Sequence, residues 1–193
     1  MKQTQELFGD DLYLSKTNNS QEKNKNAKSD LDGFYEEICE CHKCSLGASR
    51  NKFVFGTGDP QANLMLVGEA PGAEEDRIGE PFVGRAGKLL DKILNAINRS
   101  RSKDVYICNV LKCRPPNNRD PLASEVEQCE PYLLKQIEIM QPKLIVALGR
   151  VAGTTLLKAE QPLKVMRGKL HDYFGTPLIV TYHPAALLRN SGF

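Results

Sequence analysis

At 193 residues, 40% of them hydrophobic and 26% charged, the chain is long enough for one core of about 160 residues plus a tail, and it has no apolar run of ~18 residues that would cross a bilayer. A net charge of +2 and a pI near 8.2 are too mild to decide for or against a nucleic-acid partner, because clustering carries that information and the total does not. The opening MKQTQELFGDDLYL lacks the basic, apolar, small-residue order of a secretory leader, so a cytoplasmic protein without a membrane partner is expected.

Residues 1–30 contain SKTNNSQEKNKNAKSD, which offers too little apolar surface to offset its ordering entropy, so a flexible polar tail is predicted there. The short apolar piece around Leu7, Phe8, Leu12, Tyr13 and Leu14 is read as a transient helix in that tail, and no protein partner is assigned to it. Residues 31–193 form the predicted domain. It opens with a short helix, LDGFYEEI, that runs into a cysteine cluster. Strand-like runs follow at 63–69 (NLMLVGE), 104–111 (DVYICNVL), 143–149 (KLIVALG) and 176–182 (TPLIVTY). Helices are predicted between them at 84–99, where Leu89, Leu90, Ile93, Leu94 and Ile97 recur at helical spacing, at 124–141 and at 150–158. Short buried strands alternating with helices predict an α/β fold in three α/β/α layers, with a central, mostly parallel four-stranded sheet.

In such sheets ligands bind at the carboxyl ends of the strands, and the unusual residues fall there. GEAPG follows the first strand, Asn109 ends the second, Gly149 closes the third, and His183 with Pro184 follows the fourth. Two glycines and a proline in GEAPG let the backbone approach a ligand closely. The loop has neither the GxxxxGK[ST] nor the GxGxxG spacing, so a nucleotide cofactor has weak support. Phe82, in the glycine- and proline-rich EPFVGRAG, is placed where a flat ring could stack on a base.

Six cysteines in a chain without a leader read as thiols, metal ligands or core residues rather than disulfides. Cys41 and Cys44 form a CxxC pair, with Cys113 and Cys129 available to complete four thiolates, and spacing leaves zinc and iron–sulfur both open. Cys108 reads as a buried small hydrophobe, and Cys39 lies too close to Cys41 to share its cluster. Around Cys113 the loop KCRPPNNRDP carries Lys112, Arg114 and Arg119, basic side chains suited to phosphates.

Taken in order, GEAPGAEED, EPFVGRAGKLLD, NVLKCRPPNNRDP and YHPAALLR, with CxxC ahead and Cys129 behind the third, resemble the family 4 uracil-DNA glycosylases over about residues 34–190. The resemblance implies a [4Fe-4S] cluster on Cys41, Cys44, Cys113 and Cys129. It also implies a monomeric base-excision-repair enzyme that flips uracil out of single- or double-stranded DNA and hydrolyses its N-glycosidic bond without a covalent enzyme link. By that resemblance Phe82 stacks on the base, Asn109 reads its Watson–Crick edge, and His183 donates to uracil O2. Glu69 and Glu75, with the Ala70 backbone, handle water and the cationic sugar. Leu187, Leu188 and Arg189 form a loop that enters the minor groove, and Arg114 meets the backbone. Ala70 occupies a variable place in the motif. His171 lies outside the region where relatives that trap DNA covalently carry a histidine, so trapping is not expected. Relatives continue into a further helix past the HPA motif, so a shortened C-terminus is expected. Two alternatives remain: a catalytically inactive, metal-stabilised DNA-binding module with the same fold, and a nucleotide-binding α/β enzyme with a structural zinc.

Overall fold

The computed structural model describes residues 24–190. The apolar piece at 7–14 lies outside them. The elements in chain order are α1 (Ala27–Ile38), α2 (Leu46–Ser49), β1 (Thr57–Gly58), β2 (Leu64–Gly68), α3 (Ala73–Ile78), α4 (Arg85–Ala96), β3 (Val105–Asn109), a 3-10 turn (Pro116–Asn118), α5 (Ala123–Met140), β4 (Leu144–Leu148), α6 (Arg150–Leu157), α7 (Leu163–Met166), β5 (His171–Tyr173), β6 (Thr176–Thr181) and α8 (Pro184–Arg189). Among the described residues no helix is long and apolar enough to cross a membrane.

The four predicted strands form the parallel centre of a sheet ordered β1-β3-β2-β4-β6-β5. Two short antiparallel edges make it six-stranded where four strands were expected. Both edges escaped the sequence reading for physical reasons. β1 is two residues inside FGTGDP, whose glycines and proline read as a turn. Yet Gly58 is glycine because a Cβ there would overlap the Val105 carbonyl oxygen of the neighbouring strand. β5 carries His171 and Asp172 on an edge and reverses into β6 through Phe174 and Gly175, both at positive φ (48° and 84°), the geometry of a tight two-residue hairpin.

Alternation along the strands builds two cores. Met65, Val67, Tyr106, Cys108, Ile145 and Ala147 face one side, where α1, α5, α6 and α7 supply Leu31, Leu133, Ile137, Leu156 and Met166. Leu64, Leu66, Val105, Ile107, Val146 and Leu148 face the other, against Leu90 and Leu94 of α4, with α8 packed on α4. Three layers result. The apolar stripe of α4 is narrower than its periodicity predicts, since Ile93 and Ile97 are exposed.

The tail ends earlier than expected. Asn24 Nδ2 donates to the Ile139 carbonyl, Gln61 Nε2 donates to the Asn24 carbonyl, and Ala27 is buried, so residues 24–30 belong to the fold. Docking against α5 supplies the burial that local composition could not reveal.

At the start of α5, Glu125 accepts from the Leu122 amide at the N-cap and takes two hydrogen bonds from Arg119 (2.9 and 2.6 Å). Arg119 is therefore committed to the fold, against its expected phosphate role. Its hydrogen bonds hold the Glu125 carboxyl below the ordinary glutamate range, ahead of the opposing effect of burial. A lowered folded-state pKa contributes stability above the unfolded value, and that contribution is lost as pH falls through the folded one. Glu125→Gln is therefore expected to cost roughly 1 to 3 kcal/mol at pH 7, with native and variant melting temperatures converging on acidification. A native advantage that does not shrink on acidification would exclude this ion pair as the cause.

Candidate active site

Parallel pairing sets the last residues of β2 and β3 side by side, Gly68 opposite Asn109, and those of β4 and β6 likewise, Leu148 opposite Thr181. The loops leaving these four strand ends build one rim. Asn109 is 2% exposed, and its Oδ1 is the one buried side-chain polar atom among the described residues with no hydrogen-bond partner. Leaving a buried acceptor unpaired costs about 1 to 3 kcal/mol, so it marks a place where a ligand supplies the donor. Gly68 forms the floor. A Cβ there would overlap Asn109 Oδ1 and lie 2.7 Å from Phe82 Cζ.

Phe82 is non-glycine at φ 54°, a conformation that costs of order 1 kcal/mol or more. The surrounding polar groups overdetermine it. Glu75 Oε1 accepts from the Val83 and Gly84 amides (3.0 and 2.9 Å), while Arg101, anchored by Asp91, donates to the Pro81 and Phe82 carbonyls. Gly87 makes room, since a Cβ there would overlap the Phe82 carbonyl. The Phe82 ring lies 5.5 Å from the His183 ring at an interplanar angle of 31°. Phe82, Asn109 and His183 are thus brought together as expected. Glu75, expected beside Glu69 in water handling, instead spends one oxygen on the Phe82 loop.

His183 N-caps α8. Its Nδ1 accepts from the Ala185 amide (3.1 Å), which assigns the ring proton to Nε2. Burial, then the Arg189 charge, pushes its pKa below the ordinary histidine value, with Glu75 opposing. The ring is therefore a neutral Nε2 donor. Gly149, at φ 100°, lets the chain pass, since a Cβ there would lie 2.9 Å from His183 Cβ. Glu69 follows Gly68 on the same rim. Burial first, then the Asp120 charge, raises its carboxyl pKa to about 7, with Arg150 opposing. Asp120 and Arg150 are themselves ion-paired at 3.2 Å.

Four sulfurs, those of Cys41, Cys44, Cys113 and Cys129, line one small cavity together with Leu46, Phe53, Leu111 and Tyr132. Three of them receive donors: Tyr132 Oη and the Lys43 amide on Cys41, Arg50 on Cys113, and the Lys112 amide (3.3 Å) on Cys129. Donors aimed at sulfur suit thiolate ligands. Burial and the neighbouring thiols raise the pKa of Cys113, and that of Cys129 to about 12, despite opposition from Arg50 and Lys112, so deprotonation here calls for a cation. Among the described residues no three His, Cys, Asp or Glu close around a single-ion position. Cys108 is fully buried on β3, and Cys39 does not line the cavity.

Elsewhere several expected residues stand apart from the site's polar contacts. Arg114 is half-buried and bonds Asn118 Oδ1 (2.8 Å). Lys112 is fully buried and cannot meet phosphate as expected. Leu187, Leu188 and Arg189 stand on helix α8 where a loop was expected, with Leu188 and Arg189 exposed. Half-buried Ala70 packs against the larger core. His171 Nε2 bonds the Met166 carbonyl as part of β5. Arg101 was missed altogether, and nothing in NRSRSKD distinguishes it from a solvated charge.

A profile of the Uracil DNA glycosylase superfamily matches residues 55–192, and the chain belongs to that superfamily. Within it, the chain is similar to three Type-4 uracil-DNA glycosylases. That of Archaeoglobus fulgidus is 46% identical over 166 residues (82% of this chain, 83% of the relative). Those of Saccharolobus solfataricus and Pyrobaculum aerophilum are 44% and 45% identical over 168 residues each, covering 83% of this chain and 78% and 85% of the relatives.

The floor has a direct test. Gly68→Ala is expected to lower activity on the cognate base by about 100-fold or more, as misplacement by about an ångström does, and to lower the melting temperature as well, because the methyl overpacks Asn109 and Phe82. Full activity with the extra methyl would show that the ligand lies elsewhere.

Proposed function

We propose that the chain excises uracil from DNA by hydrolysing the N-glycosidic bond, leaving an abasic site for base excision repair. The unpaired, buried Asn109 Oδ1 carries this reading, with support from the Type-4 relatives. An amide acceptor takes the N3–H of uracil, while its NH₂ reaches O4. Cytosine offers an acceptor at N3 and a donor at C4, and mismatches both. The base reaches this pocket only out of the stack, and Phe82 supplies the face on which it lies.

Bond cleavage drives negative charge onto uracil and positive charge onto the sugar. His183 Nε2–H is the preorganised donor for O2, worth more in a site that excludes water than it would be in solvent. Ionised Glu69, beside the Ala70 backbone, orients and deprotonates the attacking water and favours the cationic sugar. Glu75 is a positioning residue, holding the Phe82 loop through its two amides. Leu187, Leu188 and Arg189 present a helical edge to the minor groove, and Arg114 meets the phosphate backbone.

Cys41, Cys44, Cys113 and Cys129 would hold a [4Fe-4S] cluster. Four cysteines lining one cavity match the four thiolates that such a cluster takes. With four thiolates satisfied the group is structural: it binds the CxxC segment, the loop after β3 and α5 to one another.

The purified protein is expected to be brown, to absorb near 400 nm roughly as iron–sulfur proteins do, and to release free uracil from uracil-containing DNA. His183→Ala should lose about 10²- to 10³-fold in rate, and Asn109→Ala about 10- to 100-fold. Colourless, zinc-loaded protein would overturn the cluster, and DNA binding without uracil release would favour the inactive module.

Activity should also fall as pH drops through about 7, because protonation removes the Glu69 carboxylate. Glu69→Gln should be slow and lack this limb. A native profile flat from pH 6 to 8 would remove Glu69 from the chemistry.

A further inference from the structure

The chemistry so far leaves Lys112 without a role, although it is one of the largest fully buried side chains in the protein. Its Nζ donates to the Asn109 carbonyl and to Gln136 Oε1, each at 2.7 Å. Gln136 in turn donates to the Phe55 carbonyl and the Tyr106 hydroxyl. The Lys112 backbone is held as firmly. Its amide donates to Cys129 Sγ, and its carbonyl accepts from the Val54 amide at 2.8 Å.

No carboxylate pairs with this ammonium among the described residues. The titratable neighbours that feel its charge are the Cys108 and Cys129 thiols. Burying an ammonium against neutral acceptors is a poor route to stability, since desolvation outweighs what two such bonds return, and a methionine would fill the same space. What the lysine adds is position. The β2–β3 bonds run on past the Gly68–Asn109 pair, with the Val110 and Leu111 amides donating to the Gly68 and Glu69 carbonyls at 3.0 Å each, and Lys112 Nζ holds the Asn109 carbonyl itself.

On the uracil-DNA glycosylase reading, we propose that Lys112 is a positioning residue that couples the thiolate site to base recognition: one end is fixed to a cluster ligand, and the other sets the backbone from which Asn109 reads uracil. A base-edge contact tolerates errors of about half an ångström, so a second hold on the Asn109 backbone, through its carbonyl, bears directly on recognition.

The test is a double-mutant cycle on the cluster-loaded protein, combining Lys112→Met with Asn109→Ala. Absorption near 400 nm per chain, affinity for undamaged duplex, inhibition by free uracil, and kcat and KM on uracil-containing DNA are read for each protein. Lys112→Met is expected to keep native absorption and duplex affinity, to weaken inhibition by free uracil about tenfold, and to lower kcat more than it raises KM. In the Asn109→Ala background it should add almost nothing. Full additivity, or unchanged inhibition by uracil, overturns the proposal. If Lys112→Met loses its cluster or its fold, Gln136→Met replaces it in the cycle, and the same coupling criterion decides. The native protein separates the two levels: no uracil release overturns the glycosylase reading itself, whereas release without coupling overturns only the role of Lys112.

Discussion

A single buried oxygen without a partner sets the terms for the rest of this structure. Asn109 Oδ1 sits on the last residue of a central strand, paired there with Gly68 of β2 and buried beneath the rim. An acceptor held this way cannot relax toward water or a protein donor when the pocket is empty. On the proposed reading its desolvation is therefore already met before a base arrives, and the donor of the incoming base recovers it. The same rigidity turns chemical mismatch into discrimination, because a base with an acceptor in that place leaves two buried acceptors facing each other. The surrounding fold serves this condition: Gly68 keeps the space open, the parallel ladder fixes its depth, and Phe82 closes one side.

Holding Phe82 requires a second investment. A phenylalanine in the left-handed region is stable only if its neighbours leave no better option, and here every neighbour contributes. Glu75 takes the amides after it, Arg101 gives to the carbonyls at and before it, and Gly87 yields the volume its carbonyl needs. The ring then faces His183 with its carbonyl held by Arg101. On the other face of the sheet α1's exit, the loop after β3 and α5 meet around the cavity lined by Cys41, Cys44, Cys113 and Cys129.

Much of this was legible in the sequence because it is written in periodicity and punctuation. Four apolar runs gave the parallel strands, and the residues just after each run gave the rim, since in a parallel sheet carboxyl ends must share an edge. CxxC with two later cysteines gave four sulfurs that do share a cavity. What stayed hidden depends on contacts distant in the chain. Residues 24–30 are polar and are ordered by docking against α5. β1 is two residues long and held by a neighbour's ladder. Lys112, Arg119 and Arg101 look alike as letters in basic loops, yet one is fully buried, one is spent on Glu125 and one pins a strained turn. Only the burial and partners of a charge decide whether it faces solvent, phosphate or the fold.

The two glutamates of GEAPGAEED make the same point within one motif. Both look available for water handling, and five residues in between separate their fates. Glu75 has a carboxylate oxygen shared by the Val83 and Gly84 amides, so that oxygen braces the Phe82 loop. Glu69 has no such donors. Burial and Asp120 disfavour its charge, Arg150 partly restores it, and the balance lies near neutrality, where a carboxylate exchanges protons most readily with its surroundings. On the proposed reading, environment thus divides two chemically identical groups into a brace and a base. α3 carries Glu75 across to the Phe82 loop, while Glu69 stays at the strand end.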